Sequence, residues 1–393
     1  MTLKKWLLSV LSITLFFTAS PIYANTPTPL RDVPYQFDSV KLQASKDPFH
    51  FFRSFVDLFY LVYKANTDTL TRVTHLTNAE GWCVGDAHPE NFGFQIQENR
   101  STLFTMNDMD DSGPCPVVLD LYRFLVSIQL YNPQMDISPL IRAYAQGLES
   151  QNYSVPSVIR SMQQESLQKG IDPKSKKIKK NHFIRTGEME EVSEETRSEI
   201  ISKLSSFLSV SPAQLQVYDI VKTSKVGGGS SGLTRYEILL NIENQLLHLE
   251  LKEQVTPAIY PVSNSIPDTL DRIKNTLLID QGSQASRFYG VLHIQNRMML
   301  LRPRFSGDVG VNLDKNSNSE NASIINFEAY TLGLLHARSL GSARAAQLES
   351  ELRQTSLQDW ESEVSSMAHY MIDKSQSLTY KEATSPEDST SNE

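Results

Sequence analysis

Four polar residues in two short stretches of this chain have the types and spacing for proton transfer and metal binding. Asp86, His88 and Asn91 share the loop Gly85-Asp-Ala-His-Pro-Glu-Asn91, and Asp108 opens the run Asp108-Met-Asp-Asp111. A carboxylate accepts the proton of an attacking hydroxyl, while an amide oxygen and a second carboxylate hold a hard divalent cation on phosphate oxygens. Asp86 and Asn91 on one loop, with Asp108 and Asp110 brought beside them, would meet the needs of phosphoryl transfer. The same residues also suit a turn-rich loop whose side chains satisfy backbone groups.

The surrounding elements must do the positioning. Gly81-Trp-Cys-Val84 reads as a short strand leading into the first loop. Phe92–Gln97 and Thr102–Met106 read as two strands joined by the polar turn Glu98-Asn-Arg-Ser101, a hairpin that returns Asp108 to the side of Asp86. Gly227, Gly228, Gly229, Ser230, Ser231 and Gly232 form Gly-x-Gly-x-x-Gly, a pattern common to dinucleotide-binding folds and kinases. A dinucleotide fold needs a helix directly afterwards. Here Thr234–Ile242 is rich in strand formers, and Leu247, Leu249 and Leu251 alternate with His248, Glu250 and Lys252. The glycines therefore cap a β-hairpin whose polar face carries Lys252, an arrangement that covers and neutralises phosphates. A flexible Gly/Ser linker is the bland alternative.

With these residues in place, the Gly-Asp-x-His-x-x-Asn loop resembles that of the protein-kinase-like superfamily, particularly its aminoglycoside and choline phosphotransferase branch. The resemblance implies Asp86 as catalytic base, His88 as its support, Asn91 and Asp108 as metal ligands, and Asp120 as the aspartate opening the next helix. It implies ATP or another nucleotide with Mg²⁺ as cofactor, bound under residues 227–232 by Lys252. Tyr330-Thr-Leu-Gly-Leu-Leu-His-Ala-Arg338 is similar to the helix that precedes the catalytic loop in that branch. Because it and the glycines come late, the implied fold is α+β, two-lobed and kinase-like, with its elements in circularly permuted order. The whole pattern also resembles a widespread bacterial family of unknown function, through Phe49-His-Phe-Phe-Arg-Ser54, Gly85–Gly93, Asn107-Asp-Met-Asp110, Val226–Gly232 and His336-Ala-Arg338. One departure stands out: no glutamate follows Glu253 in the helix-like stretch Asp268–Asp280 to pair with Lys252, leaving Asp271 as a shorter substitute.

The chain has 393 residues, 40% hydrophobic and 21% charged, with net charge −8, which argues against a nucleic-acid partner. Two cysteines, Cys83 and Cys115, exclude a disulfide-dense scaffold but leave open one bridge or a buried thiol. Lys4 and Lys5 precede an apolar stretch too short to span a bilayer, so residues 1–24 read as a cleaved signal peptide without a lasting anchor, and the protein as exported to the periplasm or beyond. An exported enzyme meets little ATP unless it is delivered into another cell or uses another donor. The aromatic run Phe49–Tyr63 reads as one buried helix.

The expected organisation is an N-terminal extension at 25–47, a large-lobe part at 48–215, a small lobe at 216–305, C-terminal helices at 306–374 completing the large lobe, and a disordered tail at 375–393. The basic run Lys174–Lys180 before acidic Glu188–Glu195 reads as a solvated insertion. The acceptor, an alcohol or amine, is not legible. Rival readings are a nucleotide-binding pseudokinase, a phosphatase using Asp108 and Asp110, and a calcium-stabilised module built on Asp108-x-Asp110-x-Ser112, whose twelfth position, Leu119, offers no carboxylate.

Overall fold

In the computed structural model, residues 27–225 and 227–384 are described. The proposed signal peptide lies outside them. Three helices open the described chain: α1 (Ser39–Ala44), α2 (Pro48–Ser54) and α3 (Val56–Ala65). Asp38 and Asp47 cap the first two, accepting from the Lys41 and His50 amides at 2.9 and 2.8 Å. The aromatic run expected as one helix breaks at Phe55. The break lets Phe51 and Phe55 meet Phe37, with ring centroids 5.9 and 5.2 Å away, while Phe59 turns to Tyr122 at 5.5 Å.

After α4 (Thr71–His75) come β1 (Glu80–Cys83), β2 (Phe92–Ile96), β3 (Thr102–Met106) and β4 (Gly113–Pro116). The predicted hairpin is β2–β3, and β1 pairs antiparallel with β4. That pairing carries a Cys83–Cys115 disulfide, with Cα atoms 5.7 Å apart. Helices α5 (Val118–Tyr131), α6 (Ser138–Leu148) and α7 (Ser157–Lys169) follow, then the short strands β5 (Ile178–Lys179), β6 (His182–Phe183) and β7 (Met189–Glu191) and helix α8 (Glu194–Leu208). The main sheet strands are β8 (Gln216–Thr223), β9 (Arg235–Ile242) and β10 (Gln245–Glu253), then, after α9 (Thr269–Gln281), β11 (Gly290–Ile294) and β12 (Arg297–Pro303). The chain closes with β13 (Val309–Gly310), α10 (Asn318–Leu340), α11 (Ser342–Gln354) and α12 (Leu357–Thr384).

The fold is α+β with antiparallel sheets. The largest has six strands in the order β11-β12-β10-β9-β8-β7; β13 joins β2 and β3 in a three-stranded one. Two principal cores form. One lies among α2–α5, α10–α12 and the β2–β3 hairpin, and the other between the six-stranded sheet and α8, through Ile200, Leu204, Ile238, Leu240, Leu249 and Leu301. The sheet half thus takes in β7 and α8, both ahead of the expected boundary at 216. At the other end, α12 continues to Thr384, so the first part of the expected disordered tail is helical; residues 385–393 lie outside the described ones.

Helices α6 and α10 cross at two glycines. A Cβ on Gly147 would lie 2.2 Å from the Tyr330 carbonyl oxygen, and one on Gly333 2.2 Å from that of Tyr144. Only glycine permits this backbone approach. The crossing holds Tyr144 and His336 beside the N-terminal turn of α5, immediately behind the Gly85–Asn91 loop.

Candidate functional site

A cleft of about 820 Å³ separates the helical half from the sheet half. Asp86, His88, Asn91, Asp108 and Asp110 line one wall, and Gly227, Gly228, Gly229 and Ser230 belong to the other. Residues far apart in sequence are thus brought together.

The loop bearing Asp86 is fixed from below. Asp120, fully buried in the first turn of α5, accepts from the Val84 and Gly85 amides at 2.6 and 3.1 Å. It is itself held by His336 Nε2 at 3.0 Å, whose Nδ1 meets the Tyr144 hydroxyl at 2.7 Å. Tyr60 adds a hydrogen bond to the Gly85 carbonyl at 2.5 Å. Asn91 Nδ2 donates to the Asp86 backbone carbonyl at 3.0 Å, so the amide braces the loop while its oxygen is left for the cleft.

Asp86 Oδ1 receives a hydrogen bond from Arg123 Nη2 at 2.6 Å, and His88 Nε2 stands 3.6 Å from Oδ2. Burial pushes the Asp86 carboxyl up, but His88 and Arg123 outweigh it and hold the group well below the usual carboxylate range. Burial also lowers the His88 imidazole, against the pull of Asp86. Arg123, fully buried, is the permanent charge beside Asp86. The sequence reading missed Arg123. Its signal was the one cation in a helix stretch buried from Val118 to Ile128, where a charge demands a partner.

Opposite, Lys252 is fully buried on the polar face expected for it, and that face of β9, β10 and β12 turns into the cleft with Arg235, Glu237, Glu250 and Arg302. Its ammonium bonds Asp108 Oδ2 at 2.7 Å and pairs with Asp110. Burial pushes the lysine down to about 8, against the pull of Asp108. Asp108 keeps 37% of its side chain exposed toward the cleft. Asp271 does not substitute for the missing glutamate; it lies exposed in the first turn of α9. The next residue, Arg272, turns inward instead, donating to the carbonyls of Asp110 at 2.6 Å and Ser112 at 3.1 Å and to Gln254 Oε1 at 3.0 Å. The lysine's carboxylates come from the hairpin loop, not from the helix.

The glycine segment is the turn between β8 and β9, whose ladder begins at Thr223 opposite Arg235. Gly227, Gly228 and Gly232 have φ of 82°, 75° and 79°, values that favour glycine. Ser231 and Gly232 brace the turn rather than line the cleft: Ser231 Oγ accepts from Gly227 N at 3.1 Å, and Gly232 N donates to the Lys225 carbonyl at 3.2 Å. Lys41 of α1 reaches across to the Gly229 carbonyl at 2.7 Å. Arg302 Nε binds Glu250 at 2.5 Å and its Nη1 stands 3.7 Å from Asp108, joining the sheet to the carboxylate wall. Ser112 Oγ is turned away into the core against Thr276 and the Met109 carbonyl, both at 2.6 Å, so it is not placed as a calcium ligand.

Residues 39–146 and 149–380 match a family described as an uncharacterized protein conserved in bacteria (DUF2252). The chain belongs to the DUF2252 family. No curated protein and no solved structure matches it. The DUF2252 match takes in every residue of the cleft described above, from Lys41 to His336. No helix among the described residues is long and apolar enough to cross a membrane.

Proposed function

We propose that this DUF2252 chain is a phosphotransferase of the kinase-like type, with its two lobes in circularly permuted order, moving a phosphoryl group from Mg²⁺-nucleotide to an alcohol or amine. The observation that carries the reading is the Asp86 arrangement: a cleft-facing carboxylate ionised by a buried arginine, with Asn91 braced on its backbone and Asp108 and Lys252 across from it. The Asp120–His336 contact supports the permuted order, since it ties the helix after the loop to a helix near the chain's end. Asp86 would take the acceptor's proton as the acceptor oxygen or nitrogen bonds to the γ-phosphorus. The bond from that phosphorus to the bridging oxygen breaks, and the nucleoside diphosphate leaves with the electron pair.

The residues present fit Mg²⁺. Among the described residues no group of three or more His, Cys, Asp or Glu could hold an ion. Mg²⁺ asks for less, keeping waters and phosphate oxygens beside one or two protein donors. Asn91 and Asp108 supply an amide and a carboxylate oxygen, and Asp108 Oδ1 is buried with no hydrogen-bond partner. When bound, the ion would neutralise phosphate charge. Lys252, seated on Asp108 and Asp110, favours a second reading, a pseudokinase that binds nucleotide without transfer.

The test is thermal unfolding of the full chain with ATP and Mg²⁺ together, with each alone, and with Ca²⁺ alone. A rise needing both supports the reading, and at a hundredfold excess over Kd it corresponds to about 2.7 kcal/mol. Asp86→Ala is then expected to abolish transfer and keep binding, while Asp108→Ala removes the Mg²⁺ dependence. Binding without transfer to any acceptor in wild type would favour the pseudokinase. No shift with any nucleotide would defeat both, and a shift with Ca²⁺ alone would indicate a metal-stabilised module.

A further inference from the structure

The sheet side of the cleft is built unlike a seat for a nucleobase. Strand register places two rows of side chains on that face: Arg235 opposite Lys252, then Glu237 beside Glu250 and Arg302. Arg235 Nη2 also donates to Ser230 Oγ at 2.8 Å, carrying charge up to the glycine turn. A base is held by stacking on apolar or aromatic faces. Among the described residues, no Phe, Tyr or Trp lines this cleft, and its apolar side chains are Ala44, Met189, Leu233 and Val255.

The sheet face does have one apolar patch, Val221 with Leu239, and the chain covers it with its own Phe183. That ring is 4% exposed and lies 4.9 Å from the His248 ring. Its position is secured through Asp219, which accepts from the Phe183 amide at 2.8 Å and is gripped by Arg185 at 2.6 and 3.0 Å. The insertion between α7 and α8 therefore covers the one apolar patch of this face on which a base could stack.

The same insertion brings Lys177, from the basic run, to the cleft margin. Lys177, Lys225 and Arg304 all line the cleft, and among the described residues none has a carboxylate within ion-pair distance. Three cations with no carboxylate within ion-pair distance, near Arg235 and Arg302, which share Glu250, offer charge to a chain of phosphates.

We infer that the donor end of this cleft takes a phosphoanhydride chain through its phosphates alone, so that an inorganic polyphosphate is a ligand equal to a nucleoside triphosphate. The inference rests on the phosphotransferase reading above and narrows its donor. The transfer step balances unchanged, with a chain shortened by one phosphate as the leaving group.

The experiment is calorimetric titration of the full chain with tripolyphosphate, ATP and adenosine, each with Mg²⁺ at matched ionic strength. Tripolyphosphate is expected to bind within about threefold of ATP, or more tightly, and adenosine to compete with neither. ATP binding about tenfold or more tighter than tripolyphosphate, or competition by adenosine, overturns the inference and leaves the phosphotransferase reading standing. Failure of both phosphate ligands to bind overturns the two together. The double variant Lys225→Gln/Arg304→Gln is expected to lose about tenfold or more in tripolyphosphate affinity and to show a shallower salt dependence. Wild-type affinity in that folded variant overturns the inference; if it does not fold, Lys177→Gln, at an exposed position, gives the same comparison with a smaller expected loss.

Discussion

With a guanidinium 2.6 Å from its Oδ1, the Asp86 carboxyl is held well below the usual carboxylate range, and the pair is one-sided in its dependence, since Arg123 is wholly buried. Arg123→Leu leaves a half-buried anion without its cation, so a loss of about 3 kcal/mol in urea unfolding is expected at neutral pH. Replacing both partners, Asp86→Asn with Arg123→Leu, should recover a good part of that loss. An equal loss in the double variant would mean that the arginine acts instead through its packing on Phe52, 4.1 Å from the ring centroid. Asp280 makes the opposite case. It is 3% exposed, accepts from Thr105 and from the Met106 amide at 3.3 Å, and burial raises its carboxyl to about 6 despite those donors. A raised carboxyl contributes stability that is complete below about pH 4 and lost as pH climbs through 6. Asp280→Asn is therefore expected to be more stable than wild type at pH 7.5, by up to about 3 kcal/mol, and to lose that advantage near pH 4. A difference between the two proteins that does not change with pH would contradict the assignment.

Among the elements, the β1–β4 pair carries the disulfide at the root of the Asp86 loop. Cys83→Ser with Cys115→Ser opens a loop closed over a separation of 32 residues, for which about 2–4 kcal/mol of lost stability is expected in a thermal melt. Wild-type stability in the variant would show the bridge to be dispensable. The two hairpins were the most legible part of the chain. Leu247, Leu249 and Leu251 alternate with polar residues because one sheet face packs on α8, and a period of two survives any tertiary context. Helix α9 was legible as a helix over Asp268–Asp280, but the side it turns inward was not, for the reverse reason. It buries Arg272, Thr276 and Asp280 in the junction between the halves and leaves Leu270 and Leu278 39% and 62% exposed. Apart from Ile273 its buried stripe is polar, so hydrophobic periodicity is a poor guide to its inner side, and the choice between Asp271 and Arg272 turns on about 100° of helix rotation. The break at Phe55 was hidden as well, because nothing but aromatic packing marks it. Asp120 and the helix of His336 each entered through a motif resemblance, but nothing paired them; their hydrogen bond depends on the glycine crossing of α6 and α10, which no local pattern announces.

On the scale of the whole molecule, two separate cores meet across a polar junction. A protein built this way need not unfold in one step. Besides Trp6, which lies outside the described residues, the tryptophans are Trp82 on β1 and Trp360 in the helical core. Tryptophan fluorescence therefore reports the helical half and, through Trp82 Nε1 on Thr276 of α9 at 2.9 Å, its junction with the other half, while far-UV circular dichroism also sees the six-stranded sheet. Their urea midpoints are expected to differ in the free protein and to converge when a phosphate ligand with Mg²⁺ bridges the cleft; coincident midpoints without ligand would show the halves to be one cooperative unit. The ammonium of Lys252, set between Asp108 and Asp110, has a consequence for how the protein matures. Two carboxylates on one turn would ordinarily oblige a chain to find a counter-ion before it could close, as small zinc domains must find zinc. Here the chain carries its own placeholder, so folding comes first and loading second, and EDTA is expected to leave the melting temperature of the free protein unmoved.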